Sequence, residues 1–331
     1  MRILQIRFTL CRTDFFLFWK EIMVEDRESI TAKLCSFARA YHSNYDENTV
    51  FNDYLAYDLM GRAQYEQMGK LIESDFSQEK AEGKTWFYQE NIREAVYNYM
   101  LPIPISRLSF AQKELNNFVE KYSAQSGKIQ YVICGAGMDS FAFRNTNENI
   151  QIFEIDHPDT QKYKKARINE LEWITPKNLT FVPVDFTRDS LKEKLLENGF
   201  NSELPTFTAI LGVSYYLRLK DFEQTLNTIS SLTNNESKII FDFPDETTLS
   251  RKAATRVRDL AQITAKLGEP MLKGFSKREI KGALRRNALK IETHEKPKDI
   301  QKNYFSGKNE NLKAFENVHF VCACKRKCRS R

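Results

Sequence analysis

Lys128–Arg144, KIQYVICGAGMDSFAFR, is the stretch that decides the fold of this 331-residue chain. Ile129 to Cys134 is a short apolar run, which predicts a buried strand. It breaks into Gly135-Ala136-Gly137, followed by Met138-Asp139-Ser140. Glycine lets the backbone turn sharply and lets a ligand come close to main-chain N–H groups. A strand that ends in Gly-x-Gly is how a doubly wound α/β sheet opens a crevice at its carboxyl edge. In such crevices an acid about 20 residues further on reaches the ribose hydroxyls of a nucleoside. Glu154 and Asp156, in QIFEIDHP, stand at that distance.

Downstream of this strand the pattern repeats. Apolar runs at 150–155, 179–184, 206–212 and 237–243, with weaker ones near 289–293 and 317–324, alternate with helical periodicities at 160–173, 189–198, 219–233 and 246–267. Alternation of this kind predicts a mostly parallel sheet covered on both faces. Upstream, 27–122 reads as mainly helical. SITAKLCSFARAYHS opens on Ser29 as an N-cap, and VFNDYLAYDLMG closes on Gly61 as a C-cap. Further helices are predicted at Thr85–Met100 and Ser106–Tyr122, with the prolines of LPIPIS breaking the pattern between them. The predicted organisation is an N-terminal extension (1–22), a helical cap (23–127), a Rossmann-like domain (128–324) and a basic tail (325–331). Met23 precedes the first ordinary helical sequence and is an alternative translation start.

Composition narrows the function classes. Apolar residues make up 41% and charged residues 28%, as in a globular protein rather than a disordered one. The formal charge of +6 is concentrated at the ends: residues 1–20 carry +3 and the segment after Cys324 carries +5, leaving the body at −2. A nucleic-acid enzyme would show basic residues on its core, so no nucleic-acid partner is expected. No run of 18 apolar residues is present, so no integral membrane segment is expected either. Six cysteines without paired spacing fit a reducing compartment and a cytoplasmic location. The C-x-C-x3-C after Val321 lacks a second ligand pair and is read as part of a terminal strand, VHFVCACK, not as a metal site.

Ligands of such a sheet bind outside the carboxyl ends of its strands, and four loops fall there. Gly135 to Asp139 form the first. Asp156-His157-Pro158 form the second, where His157 reads either as a turn residue or as a base. Asp185-Phe186 follow the third strand; an acid and a ring suit an adenine, one accepting from the exocyclic amine and the other stacking. Gly212 marks close backbone approach in the fourth, and Tyr215 and Tyr216 read either as substrate-positioning groups or as packing for the next helix. Ser140 replaces the third glycine of the dinucleotide fingerprint. That tells against a nicotinamide cofactor and suits S-adenosylmethionine, which has no pyrophosphate. No Ser-His-Asp order or H-E-x-x-H helix supports a hydrolase.

Four blocks together, YVICGAGMDSFAFR, FEIDHPDTQKYKKARI, LTFVPVDFTRDSL and TFTAILGVSYYL, resemble the leucine carboxyl methyltransferase superfamily, and its bacterial S-adenosylmethionine-dependent O-methyltransferase branch most closely. SITAKLCSFARAYH and GEPMLKGFSKREI are similar to that branch too, so the likeness runs from about Met23 to Cys324. The resemblance implies a class I methyltransferase fold with seven strands, S-adenosylmethionine as cofactor and a small-molecule acceptor. It implies that Gly135, Ala136 and Gly137 face the methionine part of the cofactor, Asp156 the ribose, Asp185 and Phe186 the adenine, and Arg107, in PISRLSFAQKEL, the cofactor carboxylate. Gly212 belongs to the same cofactor loop set, and Arg39 is a candidate lid contact. Many relatives carry an acid just before the fourth-loop glycine, whereas Leu211 stands here. Three other readings stay open at the level of sequence. They are a methyltransferase for a protein C-terminal carboxylate, a nicotinamide-dependent oxidoreductase, and a binding protein that kept the cleft without turnover.

Overall fold

The computed structural model describes residues 29–78, 88–123, 127–185 and 188–326. The N-terminal extension, the Met23 start, Phe186 and most of the basic tail lie outside the described residues.

Seven strands form one sheet: β1 (Ile129–Cys134), β2 (Ile150–Asp156), β3 (Leu179–Pro183), β4 (Thr206–Ile210), β5 (Lys238–Pro244), β6 (Leu289–Glu295) and β7 (Val318–Lys325). Their order is β3-β2-β1-β4-β5-β7-β6. The first five run parallel and β7 is antiparallel to both of its neighbours. The chain reverses direction across the sheet between β1 and β4. That is the switch point where a doubly wound sheet opens its ligand crevice. All six residues of β1 are buried, as expected of a central strand covered on both faces.

The helices before the sheet are α1 (Ile30–Tyr45), α2 (Ala56–Met60), α3 (Arg62–Gln78), α4 (Tyr88–Ala95), which continues as a π-helical turn over Val96–Met100, and α5 (Pro102–Ser123). Between and after the strands come α6 (Phe141–Arg144), α7 (Pro158–Glu170), α8 (Leu191–Glu197), α9 (Leu219–Leu232), α10 (Thr255–Lys266), α11 (Lys277–Arg286) and α12 (Pro297–Tyr304). Two features differ from the sequence expectation. α5 starts at Pro102 rather than Ser106, because prolines at its first and third positions lack only N–H groups that a first helical turn leaves unpaired anyway. The helix expected over 246–267 forms only from Thr255; Asp245 to Ala253 fold as successive turns, with Asp245 carboxylate and carbonyl oxygens taking the Thr247 and Thr248 donors.

The alternation of β1 feeds two cores. Ile129, Tyr131 and Ile133 point into a core shared with α1, α5, α10 and α12, while Val132 and Cys134 join α8, α9 and α11 on the other face. α5 spans the first face. Phe118 packs on Phe207 of β4 with ring centroids 5.5 Å apart, and Phe110 packs on Phe320 of β7, also at 5.5 Å. The helical segment is therefore built onto the sheet through side chains that neither part would bury alone, and it covers the carboxyl ends of the strands.

Candidate active site

A cavity of about 370 Å³ lies over the carboxyl ends of β1, β2 and β4. Its walls include Gly135, Ala136, Gly137, Asp156, Arg107, Gly212, Tyr215 and Tyr216. Residues more than 100 positions apart in the chain thus meet in one space. Asp185 does not line it. Val184 N–H donates to the Asp156 carbonyl at 2.9 Å, so Asp185 begins one residue past the strand pairing. The Asp185 carboxylate faces Arg188 at 3.5 Å. His157 is outside the cavity wall as well. It caps α7, its Nδ1 accepting the Asp159 N–H at 3.3 Å, which is the turn reading of Asp-His-Pro.

The first loop turns because Gly135 and Gly137 adopt φ values of 72° and 50°, where a side chain is strained. The turn spends two of its own donors internally, Gly135 and Ala136 N–H both going to the Ile155 carbonyl. Gly137 N–H points instead at Asp156 Oδ2, 2.5 Å away, while Oδ1 takes the His157 N–H at 2.7 Å. Burial raises the Asp156 pKa, and these two backbone donors oppose the shift. Thr160 adds a side-chain hydrogen bond, and a carboxylate with about four lone-pair sites still has room for a hydroxyl donor. Beneath this loop Glu154 and Lys164 form a fully buried pair at 2.6 Å, and Lys164 also donates to the Asp139 carbonyl, tying α7 to the loop. Burial pushes the Glu154 carboxyl up to about 7 against the pull of Lys164.

The sequence reading missed the residue that organises the other half of the site. Asp242, fully buried in β5, accepts the Gly212 N–H at 2.7 Å and the Tyr215 hydroxyl at 2.9 Å, and faces Arg107 Nη1 at 3.5 Å. Its main-chain carbonyl takes the Ser214 hydroxyl at 2.6 Å. The signal was present: a lone acid inside the apolar strand IIFDFP must find donors or be disfavoured. Asp242 supplies, from the neighbouring strand, a carboxylate beside the fourth loop where Leu211 has none. Gly212 has φ 73°, and a Cβ there would lie 2.6 Å from Arg107 Nη1, so glycine is what lets the guanidinium reach the loop. Burial opposes the Arg107 charge most strongly, yet Asp242 together with Cys35, Tyr215 and Tyr216 outweighs it and raises the pKa further. Arg107 Nε is buried and has no hydrogen-bond partner.

The roof is the first half of α1. Ser29 caps the helix by accepting the Ala32 N–H at 3.2 Å. Glu269 docks on the same turn, taking the Ile30 N–H at 2.8 Å, the Ser29 hydroxyl at 3.0 Å and the Thr31 hydroxyl, which suits a carboxylate at a helix N-terminus. Tyr216 donates to Thr31 Oγ1 at 3.3 Å. Arg39 lines the cavity and holds α1 to the glycine loop, donating to the Met138 carbonyl at 2.9 Å while facing Asp53 at 3.4 Å. Burial raises Tyr215 well above the ordinary phenol range and pushes Tyr216 up to about 12, so both are neutral donors near pH 7.

These features fit an S-adenosylmethionine site. Glycine turns leave room for a ligand, one carboxylate sits at the end of β2, and a buried guanidinium has an unused N–H. The family model and the relative that spans the chain agree. The family model described as leucine carboxyl methyltransferase matches residues 32–230. The "Putative S-adenosyl-L-methionine-dependent methyltransferase YktD" of Bacillus subtilis (strain 168) is 35% identical over 310 residues, spanning 92% of this chain and 100% of that protein. A protein of Mycolicibacterium vanbaalenii with the same kind of name is 31% identical over 121 residues, 36% of this chain and 41% of its own length. Among solved structures, magnesium protoporphyrin IX methyltransferase of Synechocystis with bound SAH matches with a TM-score of 0.42 and 11% identity, covering 79% of this chain and 99% of that one. A DUF574 family protein of Streptomyces avermitilis matches with a TM-score of 0.47 and 11% identity, covering 78% and 97%. The chain belongs to the leucine carboxyl methyltransferase family and is an S-adenosylmethionine-dependent methyltransferase.

Proposed function

We propose that this enzyme transfers the methyl group to an oxygen of a small molecule, a carboxylate or a hydroxyl. The observation that carries this reading is the single roofed cavity uniting the glycine loop, Asp156 and Arg107 with two neutral phenols. In this reading Asp156 accepts from the ribose hydroxyls, and Arg107 holds the cofactor carboxylate while Asp242 fixes the guanidinium from behind. S-adenosylmethionine supplies an electrophilic methyl on a sulfonium, so the protein's task is alignment in line with the carbon–sulfur bond. Tyr215 and Tyr216 orient the acceptor with their rings, since their hydroxyl protons go to Asp242 and Thr31. A carboxylate is already ionised at neutral pH and needs no base, whereas a phenol or alcohol would benefit from one. Asp185, which follows the strand end next to Asp156, remains with Phe186 a proposed adenine pair; Asp185→Ala should then weaken cofactor binding, and an unchanged affinity removes Asp185 from the site.

Two measurements test the reading. Calorimetry on the purified protein should give S-adenosylmethionine binding at micromolar affinity or better. Methyl-labelled cofactor added to extract should then mark the small-molecule fraction. Label confined to the protein fraction would favour a protein carboxylate as acceptor instead.

A further inference from the structure

The cavity has two chemically different ends. Along the sheet edge the polar groups sit over β2 and β1, with the Gly212 loop of β4 in the middle. On the far side, toward β5, the wall is made by the π-helical turn and α5 against α10 and the segment after it. Met100, Ile103 and Leu108 from the first pair of elements and Leu260, Ile263 and Met271 from the second line the cavity. Leu108, Leu260, Ile263 and Met271 are only partly buried although they pack against the main core, because part of their surface faces the cavity. A π-helical turn is rare and recurs at functional sites. This one runs to Met100, with the Leu101 N–H reaching back to the Val96 carbonyl at 2.8 Å. Tyr99, beside Met100, donates from its hydroxyl to Asp259 on α10 at 3.1 Å, which fastens the two walls together. Arg256, also on α10, donates to the Asn98 carbonyl at 3.4 Å. Among the described lining residues there is no histidine, and both carboxylates, Asp139 and Asp156, already accept backbone N–H groups. Burial keeps both phenols protonated, so the ionised bases among the described lining residues are these two hydrogen-bonded carboxylates.

We propose that this end is the acceptor subsite and takes an apolar monocarboxylic acid, its hydrocarbon body held between Met100, Ile103 and Leu108 on one wall and Leu260, Ile263 and Met271 on the other. The inference rests on the methyl-transfer reading above and specifies its substrate class. A carboxylate oxygen forms the new bond to the methyl carbon, the carbon–sulfur bond breaks with its electron pair staying on sulfur, and no proton moves. The products are a methyl ester and S-adenosylhomocysteine. A charged group at the distal end of the acceptor would have to be desolvated against aliphatic walls, so dicarboxylates are rejected.

The test uses the full chain, calorimetry with S-adenosylmethionine, and methyl-ester formation from butanoate, hexanoate, octanoate and adipate. kcat/KM should rise about fourfold for each added methylene, the transfer value of one buried CH₂, and adipate should be turned over at least tenfold more slowly than hexanoate. Ile263→Asp should flatten the chain-length series while leaving cofactor affinity within about twofold, which also shows that the variant is folded. Met100→Ala should move the preferred acid to a longer chain. Cofactor binding combined with a flat series, with equal use of adipate, or with no ester from any of these acids overturns the proposal. A folded wild-type protein that fails to bind the cofactor overturns instead the reading on which it rests.

Discussion

At the scale of single residues, the site is two carboxylates doing different work. Asp156 faces the cavity and in the proposed reading offers a lone pair to the cofactor, whereas Asp242 uses its oxygens on the protein itself. Asp156→Ala should weaken S-adenosylmethionine binding by about 1–3 kcal/mol, the cost of an unmade hydrogen bond at a buried site; calorimetry reads it, and an unchanged affinity would remove Asp156 from the ribose. Asp242→Ala should do more damage. It leaves Arg107 charged and buried without its counter-ion and leaves the Gly212 N–H and Tyr215 hydroxyl without their acceptor. Loss of one member of a buried charge pair costs about 3–5 kcal/mol, so urea unfolding should shift strongly. A stability equal to wild type would mean that Arg107 is neutralised elsewhere. Asp156 was legible because its spacing from the glycine turn is local and repeats a known geometry. Asp242 was not, because its partners lie on a helix and a loop 27 to 135 residues away, and only folding brings those donors to one carboxylate.

At the scale of elements, strand positions and the first cap of α1 followed from apolar runs and a serine, both short-range signals. Helix starts were less legible: the LPIPIS prolines break the chain at Leu101 yet begin α5, since proline is excluded from a helix interior and tolerated in its first turn. Glu269 is a long-range addition to the Ser29 cap. Glu269→Ala should cost about 1 kcal/mol, the usual scale for a cap contact, and should speed amide exchange in the first turn of α1; exchange unchanged there would show that Ser29 alone closes the helix. A second element-scale effect concerns β6 and β7. His294 Nε2 lies 3.1 Å from His319 Nδ1, and Asp245 faces His319 from the end of β5 at 3.5 Å. Burial, with the charges of His319, Lys277 and Lys296, lowers the His294 pKa to about 4 against the pull of Asp299. Between about pH 6.5 and 4 the unfolded chain therefore binds the extra proton and the folded one does not, so stability falls as pH drops through that window. His294→Gln should remove about 1 kcal/mol of that loss, a figure discounted for the half-exposed ring. Thermal melts at pH 7 and pH 4.5 check it, and an equal slope in the variant would assign the acid loss to other groups.

At the scale of the whole molecule, the helices before β1 and the sheet share one apolar core, with Phe118 on Phe207 and Phe110 on Phe320 across the boundary between them. We propose that they unfold as one unit. Phe118→Ala, at a fully buried position, should cost about 3–5 kcal/mol and should lower a single transition seen alike by circular dichroism and by tryptophan fluorescence. Two separated transitions would show that the cap folds independently. The sequence by itself determined the class of fold, the place of the crevice and the glycine turns and acid at its edge. Strand periodicity, glycine turns and acid spacing are short-range properties that hydrophobic burial and backbone sterics dictate within a few tens of residues. What only the tertiary structure decided is which distant groups share a space. It set Asp242 under the fourth loop and Asp185 outside the cavity wall, and it closed the apolar end with a π-helical turn against α10. Those outcomes follow from how whole helices pack across a sheet, a geometry that no local pattern of residues encodes.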